Sequence, residues 1–393
     1  MKTLDELIES LNTIPFLFIG SGLSIRYFNL PNWTNLLKAM TAKISDNEFA
    51  YQKYEQIAKE YENPYGLNPK IASLIEKDFN KLWFENEKIR TVDEYYINKV
   101  KDGCSPFKAE MAYYLKQRSV LNEEYKDEVK LLSNITKKSI AGIITTNYDL
   151  FLDTYVSGFK IYTGQEALLF SQLQGIAETY KIHGSVKEPE TIIINEKDYE
   201  RFKEKSEYLA AKLLTIFVEY PIIFIGYSIT DSNIRDILKS IVKCLSKDQV
   251  KLLKNKFIFI EYDSEMENYE ISESYISLDN DQMLVMTKVK LADFSLLYNA
   301  IGKKKMKIPV RLLRVLKDEL YLYTITNKPT KNIKVASIDD ERVSSDELVM
   351  SIGTTESVNL NGLRGITVDQ WYEFSTPIVL CPMEVVSLPR HVA

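Results

Sequence analysis

The chain has 393 residues, 45% of them hydrophobic and 11% aromatic, which is enough apolar material for two domains or for one large domain with an appendage. Its 50 basic and 55 acidic residues leave a formal net charge of -5, a balance that argues against coating nucleic acid. Cys104, Cys244 and Cys381 are too far apart in sequence for a Cys-x-x-Cys knuckle or a disulfide framework, and no apolar run reaches the roughly 18–20 residues of a membrane span. The opening residues Met1-Lys2-Thr3-Leu4-Asp5-Glu6 are acidic and amphipathic rather than leader-like, so a soluble, cytoplasmic protein without direct nucleic-acid or membrane binding is expected.

In chain order, Leu4 to Leu11 reads as a short helix. Pro15-Phe16-Leu17-Phe18-Ile19 then runs into Gly20-Ser21-Gly22-Leu23-Ser24. A short apolar run without alternation, bounded by turn residues, reads as a strand buried on both faces. The segment after it reads as a glycine-serine loop, either a plain turn or a cradle for the phosphates of a nucleotide. Arg26 to Pro31 has little periodicity, and a helix is expected from Trp33. From about residue 47 to 133 the composition favours several helices, broken near Asn63-Pro64 and Gly103-Pro106, as an insertion beside a sheet.

Strand patterns return at Ile140–Thr146, Tyr180–Ile182, Pro221–Ile225 and Lys256–Ile260, with helices expected over Glu196–Val218 and Ser232–Leu245. Strands alternating with helices imply an α/β fold, a Rossmann-like parallel sheet with helices on both faces. Ligands in such sheets bind beyond the carboxyl ends of the strands. The basic run Gly302 to Lys307 reads as a solvated linker. Tyr321–Ile325, Ile333–Ala336 and Thr376–Leu380 have β-prone composition. The domain reading is therefore 1–302 for the α/β domain and 303–393 for a small β-rich appendage, suited to assembly or partner contact.

The polar residues at the expected strand ends carry the chemistry. Of the two histidines, His391 is read as inert, whereas His183 follows a strand and precedes Gly184, where its ring would face the crevice. Asn147 and Asp149 follow another strand, where both types suit a helix cap and Asp149 could do only that, whereas Asn147 could instead hold a ribose hydroxyl or a water. Gly226 and Ser228, with Asp231 after them, allow the same two readings. No paired carboxylates and no metal-ligand spacing stand out. A bond between ribose and a pyridinium base breaks through an oxocarbenium-like state and releases a neutral leaving group, so no acid is needed. An asparagine to position the ribose or water, with a histidine as base, would suffice.

Gly20-Ser21-Gly22-Leu23-Ser24, Thr145-Thr146-Asn147-Tyr148-Asp149, Ile182-His183-Gly184-Ser185 and Gly226-Tyr227-Ser228 stand in the order and approximate spacing of a SIR2 (sirtuin) domain. The resemblance covers roughly residues 1–290. It implies a Rossmann-like NAD-binding fold with NAD+ as substrate. Gly20, Ser21, Gly22 and Ser24 would lie on the cofactor, Asn147 and Asp149 near the nicotinamide ribose, and Gly226 and Ser228 along the nucleotide. His183 would be the catalytic base, with Asn147 beside it. Protein-deacylating sirtuins usually carry a four-cysteine zinc module, which three cysteines cannot supply, so no zinc is expected. They also have a Gly-Ile-Pro-Asp-Phe-Arg segment where this chain reads Asn29-Leu30-Pro31-Asn32-Trp33-Thr34. That form, with the helical insertion, looks like the bacterial SIR2-like NADases of antiphage defence. Among them it is most similar to the subunit that partners a HerA-like ATPase in ring assemblies. The resemblance thus implies a homo-oligomeric NAD+ glycohydrolase, with a HerA-like ATPase as a possible partner. An NAD-dependent deacylase or ADP-ribosyltransferase, and a non-catalytic sensor of NAD or ADP-ribose, are the alternatives.

Overall fold

Phe16–Ile19 form strand β1, and all four residues are buried. Leu17 and Ile19 pack into one apolar cluster, Phe16 and Phe18 into a second. The same alternation separates Ile223 and Ile225 from Ile222 and Phe224, and Ile258 and Ile260 from Phe257 and Phe259. These short apolar runs are therefore strands with a core on each face, each side chain worth roughly 1.5–3 kcal/mol when fully buried. The computed structural model describes residues 2–326, apart from 170–174, 205, 229–231, 247–248, 251–252, 254–255, 278–282 and 307. The chain divides into two compact units, Met1–Arg314 and Val315–Ala393. Asp231, Ile333–Ala336 and Thr376–Leu380 lie outside the described residues.

The first unit is α/β. The remaining strands are β2 (Gly142–Thr145), β3 (Lys160–Thr163), β4 (Glu178–Lys181), β5 (Ile222–Ile225), β6 (Phe257–Tyr262), β7 (Tyr269–Ser277) and β8 (Met283–Leu291). The sheet order is β3-β4-β2-β1-β5-β6-β8-β7. Every pairing is parallel except β7 with β8. After β1 the chain builds outward through β2, then crosses back to add β5 on the other side. The topological switch point therefore lies between β1 and β5, where loops leave in opposite directions and a crevice opens. Between β1 and β2 the chain forms helices Ala50–Lys59, Leu67–Glu85, Glu94–Lys101, Pro106–Arg118 and Lys126–Lys138.

Three local readings change. The glycine-serine segment is not a loop beyond Gly20: Ser21–Phe28 is a helix, with Gly20 extended at its N-cap and Asn29 closing it in the left-handed region. Its glycine and serines are poor helix formers, but Leu23, Tyr27 and Phe28 bury one face, and packing overrides propensity. The basic run at 302–306 is tied to the α/β domain rather than free, although Lys303 and Lys305 are exposed. Lys304 donates to the Leu11 carbonyl (2.5 Å), Lys303 pairs with Asp5, and the Met306 amide donates to the Lys138 carbonyl (2.8 Å). Tyr321–Ile325 is helical, as the end of Val310–Thr326. Leu312, Leu316 and Leu320 recur every four residues and set the helical period that the β-prone stretch continues.

Candidate active site at the carboxyl edge of the sheet

At the switch point the two glycine segments fit against each other. The Gly20 amide donates to the Ile225 carbonyl (2.8 Å) and the Gly22 amide to the Gly226 carbonyl (2.9 Å). A Cβ on Gly226, whose φ is +77°, would lie 2.8 Å from the Gly20 oxygen and the Leu23 nitrogen. One on Gly22 would lie 2.8 Å from the Gly226 Cα. The absence of side chains thus lets two backbones interlock, and sets the N-terminus of helix Ser21–Phe28 at the mouth of the crevice.

Asn147 follows β2 across this junction. Its Nδ2 donates to the Gly20 carbonyl (2.9 Å) and to Ser24 Oγ (2.8 Å). Because a carbonyl only accepts, the amide orientation is fixed. Both amide hydrogens are committed, which leaves Oδ1 as the acceptor for a ligand hydroxyl or a water. Ser24 Oγ in turn donates to Asp149 Oδ2 (2.5 Å), and Asp149 Oδ1 accepts from the Phe151 amide (2.8 Å). Asp149 is not the N-cap of helix Phe151–Tyr155, which is Leu150, but it braces the turn before that helix and also fixes Ser24, which fixes Asn147. Thr145 Oγ1 donates to the Ile19 carbonyl (2.8 Å) and accepts from the Asn147 amide (3.0 Å), tying the same turn to β1.

His183 is held differently. It follows β4 and is 3% exposed. The edges of Tyr199 and Phe202 meet its ring at centroid separations of 5.8 and 5.1 Å. Its backbone carbonyl accepts from the Ile193 amide (3.0 Å). Burial alone pushes the imidazole down from 6.5 to about 4, so the ring is neutral at physiological pH and carries a lone pair. A neutral, buried imidazole that lines the same cavity as an asparagine acceptor offers a lone pair for a proton from a positioned water.

The sequence-selected residues do not all arrive at one place. Ser21, Ser24, Asn147, Asp149 and His183 line one cavity. Gly20, Gly22, Gly226 and Ser228 are outside its lining: the three glycines form the interlocked junction beside it, and Ser228 is exposed. Trp33, Tyr199 and Tyr227 also line it and were not singled out. Trp33 stacks on Tyr199 (6.1 Å, 20°), and the Tyr227 hydroxyl donates to the Ile19 carbonyl (3.0 Å). Tyr199 has no local signal in the sequence, because it reaches His183 from a helix that begins at Glu196. Leu115 brings the helical stretch between β1 and β2 to the cavity wall. Among the described residues, no three His, Cys, Asp or Glu side chains are grouped to hold a metal.

Residues 141–278 match the family described as the SIR2-like domain. The chain is 26% identical over 200 residues to the NAD(+) hydrolase ThsA of Enterococcus faecium, covering 45% of this chain and 40% of that protein. It is 26% identical over 188 residues to the NAD(+) hydrolase ThsA of Bacillus cereus (strain MSX-D12), covering 46% and 36%. It is 29% identical over 161 residues to defense-associated sirtuin 2 of Bacillus subtilis, covering 39% and 15%. The matched part spans 40% or less of each of these relatives. The stretch 141–278, which carries Asn147, His183 and Gly226, is thus similar to the SIR2-like domain, and these relatives of the chain are named for NAD(+) hydrolysis and for defence.

Proposed function

We propose that this chain is an NAD+ glycohydrolase that releases nicotinamide and ADP-ribose and depletes NAD+ as an antiphage effector. The observation that carries the reading is the pairing, in one cavity at the β1–β5 switch point, of an asparagine with a fixed amide and a neutral, buried histidine. The pyrophosphate rests at the N-terminus of helix Ser21–Phe28, where amide hydrogens and the helix dipole favour an anion. Asn147 Oδ1 takes a ribose hydroxyl or the attacking water. The C1′–nitrogen bond breaks with its electron pair moving onto the pyridinium, which leaves neutral. Water then adds to C1′ and gives its proton to His183. Electrostatic positioning carries the rate, and no acid acts on the leaving group.

The burial of His183 beneath Tyr199 and Phe202 favours water over a bulky acyl-lysine as acceptor, which supports hydrolysis over deacylation. The named activity of the relatives supports the same choice. On this reading the enzyme is cytoplasmic, works as a homo-oligomer, and is held quiet until a partner engages it. A HerA-like ATPase is the partner class we propose, with the C-terminal part serving assembly. The test is incubation of the full chain with NAD+, alone, with an acylated peptide, and with a HerA-like ATPase, followed by product identification. Nicotinamide and ADP-ribose formed without peptide support the reading. Consumption only with peptide means a deacylase or transferase, and NAD+ recovered intact in every arm means a sensor.

A further inference from the structure

Lys181 ends β4 and is 1% exposed. A buried ammonium is costly unless its donors are used, and these are. Its Nζ donates to the Asp149 carbonyl (2.7 Å), to Asp153 Oδ2 (2.8 Å) and to Ser185 Oγ (3.1 Å), and reaches the Tyr148 carbonyl at 3.4 Å. Asp153 is buried too and pairs with Lys187 (2.8 Å). Burial pushes its carboxyl up, but Lys181 and Lys187 outweigh that and hold it below the usual range.

The partners decide what this cation does. Tyr148 and Asp149 directly follow Asn147, and Ser185 stands two residues after His183. Strands β2 and β4 are neighbours in register, with Thr145 opposite Lys181, so the ammonium lies between the two turns that leave them. A purely space-filling residue here would need no such set, since the Tyr148 carbonyl already accepts from the Val186 amide (2.9 Å). We infer that Lys181 is a positioning residue for the NAD+ cleavage proposed above, one cation that sets the spacing of Asn147 and His183. The inference rests on that reading of the crevice. The hydrogen bonds of Lys181 go to Tyr148, Asp149, Asp153 and Ser185 and not to the glycine junction or the N-terminus of helix Ser21–Phe28, so its loss should affect the chemical step more than the binding of NAD+.

The test is steady-state nicotinamide release by the full chain, wild type against Lys181→Met, Ser185→Ala and Lys43→Met, with folding followed by circular dichroism. The Lys43 control removes a comparable ion pair, with Glu110 (2.6 Å), away from the cavity. Misplacement of reacting groups by about 1 Å costs on the order of 10²-fold, so Lys181→Met should lower kcat by about 30-fold or more with KM within about threefold. Ser185→Ala severs the Lys181 link to the His183 turn, along with a longer bond from the Lys187 amide (3.3 Å), and should lower kcat by about fivefold, which decides the matter if Lys181→Met does not fold. Lys43→Met should stay within about twofold. Wild-type kcat in folded Lys181→Met or in Ser185→Ala, or a KM that rises as much as kcat falls, overturns the inference alone. A wild-type chain that never cleaves NAD+ overturns the functional reading, and this inference with it.

Discussion

The Asn147 turn and the His183 turn leave adjacent strands of one sheet, yet opposite means hold their key side chains. Asn147 is fixed by hydrogen bonds: Gly20 and Ser24 take its two amide hydrogens, and Asp149 fixes Ser24. His183 is fixed by packing against Tyr199 and Phe202, and burial is the sole cause of its low pKa. The contrast suits the roles proposed for the two groups. An amide that orients a ligand needs a defined direction, which hydrogen bonds supply. An imidazole proposed to take a proton needs a lone pair at neutral pH, and desolvation keeps it unprotonated while lowering its basicity.

The comparison breaks most completely if either side chain is removed. Asn147→Ala and His183→Ala should each lower nicotinamide release by about 10²–10⁴-fold while melting within a few degrees of wild type, as followed by circular dichroism. The pH dependence separates the two turns. With a folded pKa of about 4 against 6.5 unfolded, the unfolded histidine binds a proton between these values that the folded one refuses. The stability tied to neutral His183 is therefore complete above about pH 6.5 and lost as the pH falls toward 4. Denaturant titrations should show a loss of about 2 kcal/mol between pH 7 and pH 5 that is missing in His183→Asn. Turnover by folded enzyme should show no ionisation near pH 6.5, because the base stays neutral down to about pH 4.

Gly226→Ala attacks the glycine junction at the start of helix Ser21–Phe28. Its positive φ and the 2.8 Å approach to Gly20 should cost about 2–3 kcal/mol in thermal or denaturant unfolding, with weaker NAD+ binding. Ser24→Ala frees one Asn147 hydrogen and strips an Asp149 oxygen of its donor. Turnover should drop about tenfold while the pH profile of stability stays that of wild type. Tyr227→Phe removes hydroxyl bonds to Ile19 and Thr146 and should cost only about 0.5–1.5 kcal/mol of stability.

The strands nearest the site were legible because burial on both faces writes a plain apolar run, as in Phe16–Ile19 and Ile222–Ile225. Strands β7 and β8 were not, since Tyr269–Ser277 interleaves Glu and Ser with apolar residues at the sheet margin and carries no turn motif beside the crevice. Helix Ser21–Phe28 was hidden by its glycine and serines, whose helical state depends on where Leu23 and Tyr27 pack. Asn147 and His183 stood out as polar residues after strands, but their supports did not. Trp33 and Tyr199 reach the cavity from two helices far apart in sequence, Phe202 meets the His183 ring from the same helix as Tyr199, and Lys181 looks like any strand-end lysine until the two turns close around it. Pairwise placement of this kind is set by topology, which local pattern does not encode.

The central claim is that Asn147 and His183 act together on the nicotinamide–ribose bond. Its most direct measurement is the time course of nicotinamide and ADP-ribose release from NAD+ by the wild-type chain, in whichever assembly state is active, beside folded Asn147→Ala and His183→Ala. Equal amounts of both products from wild type, and neither variant above a hundredth of its rate on the scale of roughly 10²–10⁴-fold losses, are the predicted result. Undiminished release by either folded variant would contradict the account.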